Sequence, residues 1–147
     1  MDQSTLLRRA ALAAALIASL VFTASAGALG RARTQQYVEV VNGSFTIKAG
    51  HYRYYKMTVG EQGAVVSGRF RASGGGGNDV EVFILDPDAF ENWQNGHSVR
   101  TYYNSGRVTV STIKKYLNEG EYYLVFSNTY SVMTPKAVEA EVYLVWE

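Results

Sequence analysis

The chain has 147 residues, contains no cysteine, and carries 14 Lys and Arg against 13 Asp and Glu, a net charge of +1 at neutral pH. The lack of cysteine excludes disulfides, thiol catalysis and thiolate metal sites, and the balanced charge gives no support for nucleic-acid binding or a polybasic membrane surface. Aromatic residues make up 13% of the chain, led by 11 Tyr, and this composition favours strands in a single domain.

Residues 1–26 have the pattern of an export signal. Arg8 and Arg9 form its positive segment, an uncharged run follows from position 10 to 23, and Ala24-Ser25-Ala26 provides the small residues of a cleavage site. No charged residue occurs from position 10 to 30, a length that can span a bilayer. The alternative is therefore that residues 10–29 are retained as a membrane anchor. The alanine-rich run and the cleavage site favour removal. We therefore expect a secreted or periplasmic protein without a membrane span in its mature form.

The predicted organisation is a signal peptide at 1–26, a flexible lead-in at 27–36 and one β-sandwich domain at 37–147. Short alternating segments between turn residues indicate an all-β, antiparallel, jelly-roll-like sandwich of about eight strands. Predicted strands cover 37–41, 44–48, 51–59, 64–72, 80–85, 98–104, 107–114, 121–128 and 136–146. Two pairs of them are predicted hairpins, across Asn42-Gly43 and across Ser105-Gly106. The glycine run 74–77 is interpreted as a flexible connector, because a strand follows it instead of the helix or lysine of a phosphate-binding loop.

One short helix is predicted directly after the central strand. Asp86 can cap it, Pro87 suits its first turn, and Gly96 can end it. Polar and aromatic side chains are concentrated here, and we take the following residues as binding candidates: Asp86, Asp88, Asn92, Trp93, Gln94, Asn95 and His97.

Two interpretations of this segment stay open. Trp93 with the neighbouring amides can form a stacking platform for a sugar or a peptide. Alternatively, Phe90 and Trp93 close the end of the sandwich while Asn92 and Asn95 satisfy backbone groups. Large aromatic side chains are mostly buried, which favours the second interpretation.

No catalytic set is recognisable in the sequence. The only histidines are His51 and His97, and no Gly-x-Ser-x-Gly nucleophile motif occurs. We therefore predict a protein that is not an enzyme and needs no cofactor.

Calcium binding is a weaker alternative, carried by Asp79, Asp86 and Asp88. Carboxylates in sandwich loops can supply its oxygen ligands, but the spacing lacks the glycine and the distal glutamate of an EF loop. The competing interpretation is that Asp86 caps the helix and that Asp79 and Glu81 face solvent or pair with Arg69 and Arg71 across the sheet. We therefore predict no metal site, and Asp79, Asp86 and Asp88 stay as weak candidates only.

The segment 120–131, GEYYLVFSNTYS, with Lys136-x-Val138 after it, resembles the closing hairpin of GOLD domains, the β-sandwich modules of p24 cargo receptors and of some lipid-transfer proteins. The strand NDVEVF at 78–83 is similar to the acidic and apolar central strand of that family. The resemblance covers about residues 40–147 and implies a compact sandwich for protein or cargo contact, without catalytic residues. The p24 proteins carry paired cysteines, a coiled coil and a membrane span that this sequence lacks, so we expect an exported bacterial form of the fold rather than a role in vesicle traffic.

The segment 49–59, AGHYRYYKMTV, is also similar to the opening strand of pre-peptidase C-terminal domains of secreted bacterial enzymes. The predicted function is a non-enzymatic interaction module for a protein or glycan partner; the alternative is a carbohydrate- or calcium-binding accessory domain of the pre-peptidase type. In the GOLD-like turn, Asn128 and Ser131 are predicted to be structural, because such side chains satisfy backbone groups that a strand releases at its end.

Overall fold

The computed structural model describes residues 35–146, which form eight strands and one helix. The predicted signal peptide and the lead-in up to residue 34 lie outside the described residues. The elements, in chain order, are β1 (Gln36–Ile47), β2 (Tyr52–Val59), β3 (Ala64–Ser73), β4 (Val80–Leu85), α1 (Pro87–Gln94), β5 (Tyr103–Val108), β6 (Val110–Leu117), β7 (Gly120–Ser127) and β8 (Lys136–Trp146). Within this range no helix is long and apolar enough to cross a membrane.

The strands form two antiparallel sheets of four strands each. The first sheet has the order β1-β8-β3-β6 and the second the order β2-β7-β4-β5, so chain neighbours repeatedly lie in opposite sheets. This is the strand order of a jelly roll, two sheets joined by Greek-key crossovers. The prediction of an all-β jelly-roll-like sandwich with about eight strands and one short helix is confirmed.

The main core lies between the two sheets and follows from the alternation of the strands. On β8, Val138, Ala140, Val142 and Leu144 point inward and are buried, whereas Glu139 on the opposite face is exposed. The alternation of apolar residues along the strands predicts buried side chains at Phe83, Leu124, Phe126, Val142 and Leu144, and all five are buried.

A second, smaller core covers the outer face of the second sheet. Both faces of β7 and β4 are apolar, and the outward Val125, Phe83 and Leu85 pack under Phe90 of α1. A sheet that is covered on both faces needs strands in which nearly every residue is apolar. This explains the runs VEVFIL in β4 and YYLVF in β7. Phe83 therefore belongs to the layer below the helix and not to the layer between the sheets.

The predicted hairpin across Asn42-Gly43 is wrong. β1 runs unbroken through these residues and pairs with β8 from Gln36 to Ile47, with Gly43 opposite Ala140. The Asn-Gly pair has a local turn preference, but pairing along the whole length of β8 satisfies the backbone groups of both strands and buries Val41 and Ile47.

The predicted hairpin across Ser105-Gly106 is also wrong, because β5 belongs to the second sheet and β6 to the first. Ser105 and Gly106 form an irregularity in β5 opposite Val82, whose amide donates to the Ser105 hydroxyl at 2.8 Å. Gly106 has φ +63°, a left-handed conformation that suits glycine at a bulge. Ser105 and Gly106 are turn-forming residues, but they bend one strand instead of joining two.

Candidate functional site

Helix α1 places the predicted binding residues on the outer face of the second sheet. Asp86 caps it through a carboxylate that accepts from the Ala89 amide at 2.8 Å, Pro87 lies in the first turn, and Gly96 follows the C-cap with φ +79°. These are the predicted start and end. The helix runs back along the sheet, so that its C-terminal end lies near the beginning of β2.

The apolar side of α1 is an aromatic cluster. The Trp93 ring lies 4.9 Å from Tyr52, 5.7 Å from Phe83 and 6.3 Å from Phe90, measured between ring centroids. Phe90 stacks on Tyr123 at 4.3 Å. Trp93 is thus half-buried among other rings, and its contacts pack the helix on the sheet face rather than on the end of the sandwich.

A shallow cleft of about 390 Å³ opens at the C-terminal end of α1. Its lining residues come from three parts of the chain: Tyr52 from β2, Thr129 after β7, and Trp93, Gln94, Gly96, His97 and Ser98 from the helix end. Gln94 Nε2 donates to the Tyr52 hydroxyl at 2.6 Å, which ties the helix end to β2. The cleft therefore presents amide, imidazole and hydroxyl groups beside two aromatic rings.

The other candidate residues do not join this cleft. Asn92 Nδ2 donates to the Asp88 carbonyl at 2.8 Å and Asn95 Nδ2 donates to the Glu91 carbonyl at 3.0 Å. Asp86 is used in capping, and Asp88 lies exposed in the first turn at the far end of the helix. Of the seven predicted binding residues, the structure brings together Trp93, Gln94 and His97.

The three candidate calcium ligands do not converge. Asp79 bonds to Lys136 Nζ at 3.2 Å, whereas Asp86 and Asp88 lie beyond the other end of β4. In residues 35–146, no three His, Asp or Glu side chains come close enough to hold a metal ion. The alternative pairing of Asp79 with an arginine across the sheet is wrong as well, because Asp79 bonds to Lys136, and Arg69 bonds to Glu141 at 2.9 Å.

Lys136 holds the glycine run in place. Its side chain is 2% exposed, and its ammonium donates to the Gly75 carbonyl at 3.1 Å as well as to Asp79. Burial alone would raise the pKa of Asp79, but the hydrogen bond and charge of Lys136 outweigh it and lower this pKa. The glycine run, predicted as a flexible connector, is thus a loop whose Gly75 carbonyl is tied to β8 through Lys136.

Asn128 is fully buried where the chain leaves β7. Its amide nitrogen donates to the carbonyls of Thr134 at 2.9 Å and of Ile47 and Lys48 at 3.3 Å. Ser131 Oγ donates to the same Thr134 carbonyl at 2.9 Å and accepts from the Thr134 amide at 3.2 Å. These bonds join the β7–β8 turn to the turn between β1 and β2.

Comparison with known proteins adds little to this geometry. No protein-family model and no curated protein matches the chain. A solved structure described as "CBM4 structure and function", a carbohydrate-binding module, is similar with a TM-score of 0.44 and 11% sequence identity, over 78% of this chain and 72% of that chain. What this chain binds is therefore inferred from its own surfaces.

Sequence reasoning missed Tyr52, Ser98 and Thr129 as residues of the cleft, and it predicted Gly96 only as the end of the helix. Tyr52 and Tyr54 lie two positions apart on the same outer face of β2. Two outward tyrosines on one strand indicate a covered or ligand-binding face. No local pattern marks Thr129, because its position beside the helix depends on how β7 and α1 pack.

Proposed function

We propose that the protein is a non-enzymatic binding module that acts in the periplasm or outside the cell and contacts a protein partner through the cleft between α1 and β2. The observation that carries the proposal is the convergence of Tyr52, Trp93, Gln94 and His97 on one open cleft. Aromatic rings beside a few hydrogen-bonding groups are the composition that protein contact sites favour.

The mutual packing of the rings favours a protein over a sugar in this cleft. Trp93 has Tyr52, Phe83 and Phe90 around it, so its ring is engaged in the cluster rather than presented as a free stacking platform. The Gln94 amide, the His97 imidazole and the Ser98 hydroxyl remain at the open side, where a peptide backbone can bond with them.

The non-enzymatic part of the proposal rests on the two histidines. His51 Nδ1 donates to the Ala49 carbonyl at 2.8 Å, in a turn and not beside a nucleophile. His97 lies exposed at the cleft, and within residues 35–146 it has no hydrogen bond to a carboxylate that would orient it as a general base. The likeness of residues 120–131 to GOLD domains and the export signal support the same proposal of an exported contact module.

The test is partner capture with paired variants of the same helix. The purified protein carries a photo-crosslinker at Ser98, and crosslinked partners from an envelope extract are identified by mass spectrometry. Gln94→Ala with His97→Ala should lose the specific partner, because both side chains face the cleft. Glu91→Ala, exposed on the same helix and outside the cleft, is the matched control and should keep it.

A direct titration then confirms the assignment. The identified partner, purified, should bind the wild type and the Glu91→Ala variant with equal affinity and the double variant at least about tenfold more weakly, as expected when polar contacts of a site are removed. Equal binding by all three proteins would refute the cleft as the contact site.

A further inference from the structure

The outer face of the first sheet carries a second and larger surface feature. Four depressions of 240, 550, 380 and 480 Å³ follow one another along the strands. Consecutive depressions share lining residues, namely Gln35 and Val145, then Ser67 and Lys114, then Arg69 and Glu141. They form one continuous shallow depression, here named the outer groove.

Strand register explains how this groove is built. Four rows of outward side chains cross β1, β8, β3 and β6: Tyr37, Val145, Val65 and Tyr116; Glu39, Tyr143, Ser67 and Lys114; Asn42, Glu141, Arg69 and Thr112; Ser44, Glu139, Arg71 and Val110. From Val145 to Glu139 the rows span seven residues of β8, and the six steps between them cover about 20 Å at the rise of a strand. The groove therefore suits an extended ligand that lies along the strands.

Aromatic rings are concentrated at one end of the groove. Tyr37 is 47% exposed and meets Tyr143 edge to face, with ring centroids 5.6 Å apart. Tyr116, on the opposite wall, is 57% exposed, and its hydroxyl donates to the Gln62 carbonyl. An exposed tyrosine presents an apolar ring with a polar rim, the chemistry that stacks on the C–H face of a sugar ring.

The middle of the groove is polar and electrically neutral. Arg69 and Glu141 form an ion pair at 2.9 Å across its floor, and the Tyr143 hydroxyl donates to the same glutamate at 3.1 Å. Three acidic and three basic side chains point to this face: Glu39, Glu139, Glu141, Arg69, Arg71 and Lys114. Nucleic acid requires an excess of positive charge, and the centre of a protein interface is depleted in charged residues. Both partner classes are therefore disfavoured.

We propose that the outer groove binds a neutral polysaccharide chain, laid along β8 and β3, with Tyr37, Tyr116 and Tyr143 contacting sugar rings and the Arg69–Glu141 pair bonding to hydroxyl groups. This site is separate from the cleft beside α1, which lies on the outer face of the other sheet. A module with both surfaces can hold a protein partner on one sheet and a glycan on the other.

Affinity electrophoresis tests the proposal directly. The purified protein migrates through native gels containing xylan, β-glucan, mannan or cellulose ether as neutral probes, with alginate as an anionic probe. At least one neutral probe should retard the wild type, and alginate should not. Tyr116→Ala should weaken the retardation severalfold, and Ser67→Arg, which fills the centre of the groove, should abolish it.

Matched controls separate this site from the α1 cleft. Tyr54→Ala removes a tyrosine of similar exposure, 49%, from the other sheet and should leave retardation unchanged, as should Gln94→Ala with His97→Ala. A second measurement uses Trp146, which lines the groove and is the only remaining tryptophan in a Trp93→Phe protein. Its fluorescence should change when an oligosaccharide of the retarding probe is added.

The proposal is overturned if none of the four neutral polysaccharides retards the wild type, or if Ser67→Arg is retarded like the wild type while circular dichroism shows both folded. Retardation by alginate alone would also overturn it, because it would indicate an anionic ligand. Loss of partner capture through the α1 cleft has no bearing on these outcomes.

Discussion

At the scale of single residues, Asn128 is the clearest case of a side chain that replaces backbone pairing. Three carbonyl groups from two turns accept from its amide nitrogen, and the side chain is fully buried. Asn128→Ala leaves these carbonyls without their shared donor, so we expect a loss of about 1–3 kcal/mol in the free energy of unfolding. Urea denaturation measures it.

Asn128→Asp is the sharper companion variant. It removes the donor and places a carboxylate among three carbonyl oxygens, so it should destabilise more than alanine does. Binding by the folded fraction should be unchanged in both. A variant with an unchanged midpoint but without its partner would instead place Asn128 in a recognition surface.

The Asp79–Lys136 pair makes stability depend on pH. The pKa of Asp79 is lowered in the folded protein, so its contribution to stability is present above the pKa of the unfolded chain and is lost as the pH falls through the folded value. Asp79→Ala leaves Lys136 buried without its carboxylate and should cost about 3 kcal/mol at pH 7. The difference between wild type and variant should shrink at pH 3, measured by urea unfolding at both pH values. A constant difference would show that the pair does not titrate with folding.

At the scale of elements, helix α1 depends on its cap and on its packing. Asp86→Ala removes the acceptor of the Ala89 amide and should cost about 1 kcal/mol in urea denaturation. Asp88→Ala is the control, because this exposed carboxylate in the first turn interacts only with the helix dipole. Its loss should lower the free energy of unfolding by only about 0.3 kcal/mol. Equal losses would mean that the cap does not hold the helix start.

At the scale of the whole molecule, the faces of the strands decide which side chains matter for stability. Phe126 is fully buried between the sheets, with Phe45 and Phe70 at 5.3 and 5.9 Å. Phe126→Ala should therefore lower the free energy of unfolding by about 3–5 kcal/mol, whereas Glu139→Ala, outward on β8, should change it little. Thermal and urea unfolding of both variants give the comparison, and similar midpoints would contradict the assignment of faces.

The start of the mature chain is a further prediction at this scale. Cleavage after Ala26 should give a protein that begins at Gly27, since small residues occupy both recognition positions. Mass spectrometry of the exported protein decides it. A species in the membrane fraction that retains residues 1–26 would support the anchored form.

The sequence by itself determined the fold class, the inward faces of the strands and the short helix with its Asp86 cap, through the order of its apolar and polar residues. These features depend on local periodicity and on backbone groups near in sequence. The sequence therefore predicts both ends of β8 and the Asp86 cap at the start of α1 correctly. Only the tertiary structure decided the partners of each strand. Asn42-Gly43 and Ser105-Gly106 have the local chemistry of turns, yet both lie within strands. The first pairs with β8 and the second lies in β5, which pairs with β4. The two candidate surfaces were decided in the same way, because Tyr52 meets Trp93 and Tyr37 faces Tyr116 across a sheet only after strands distant in sequence have packed.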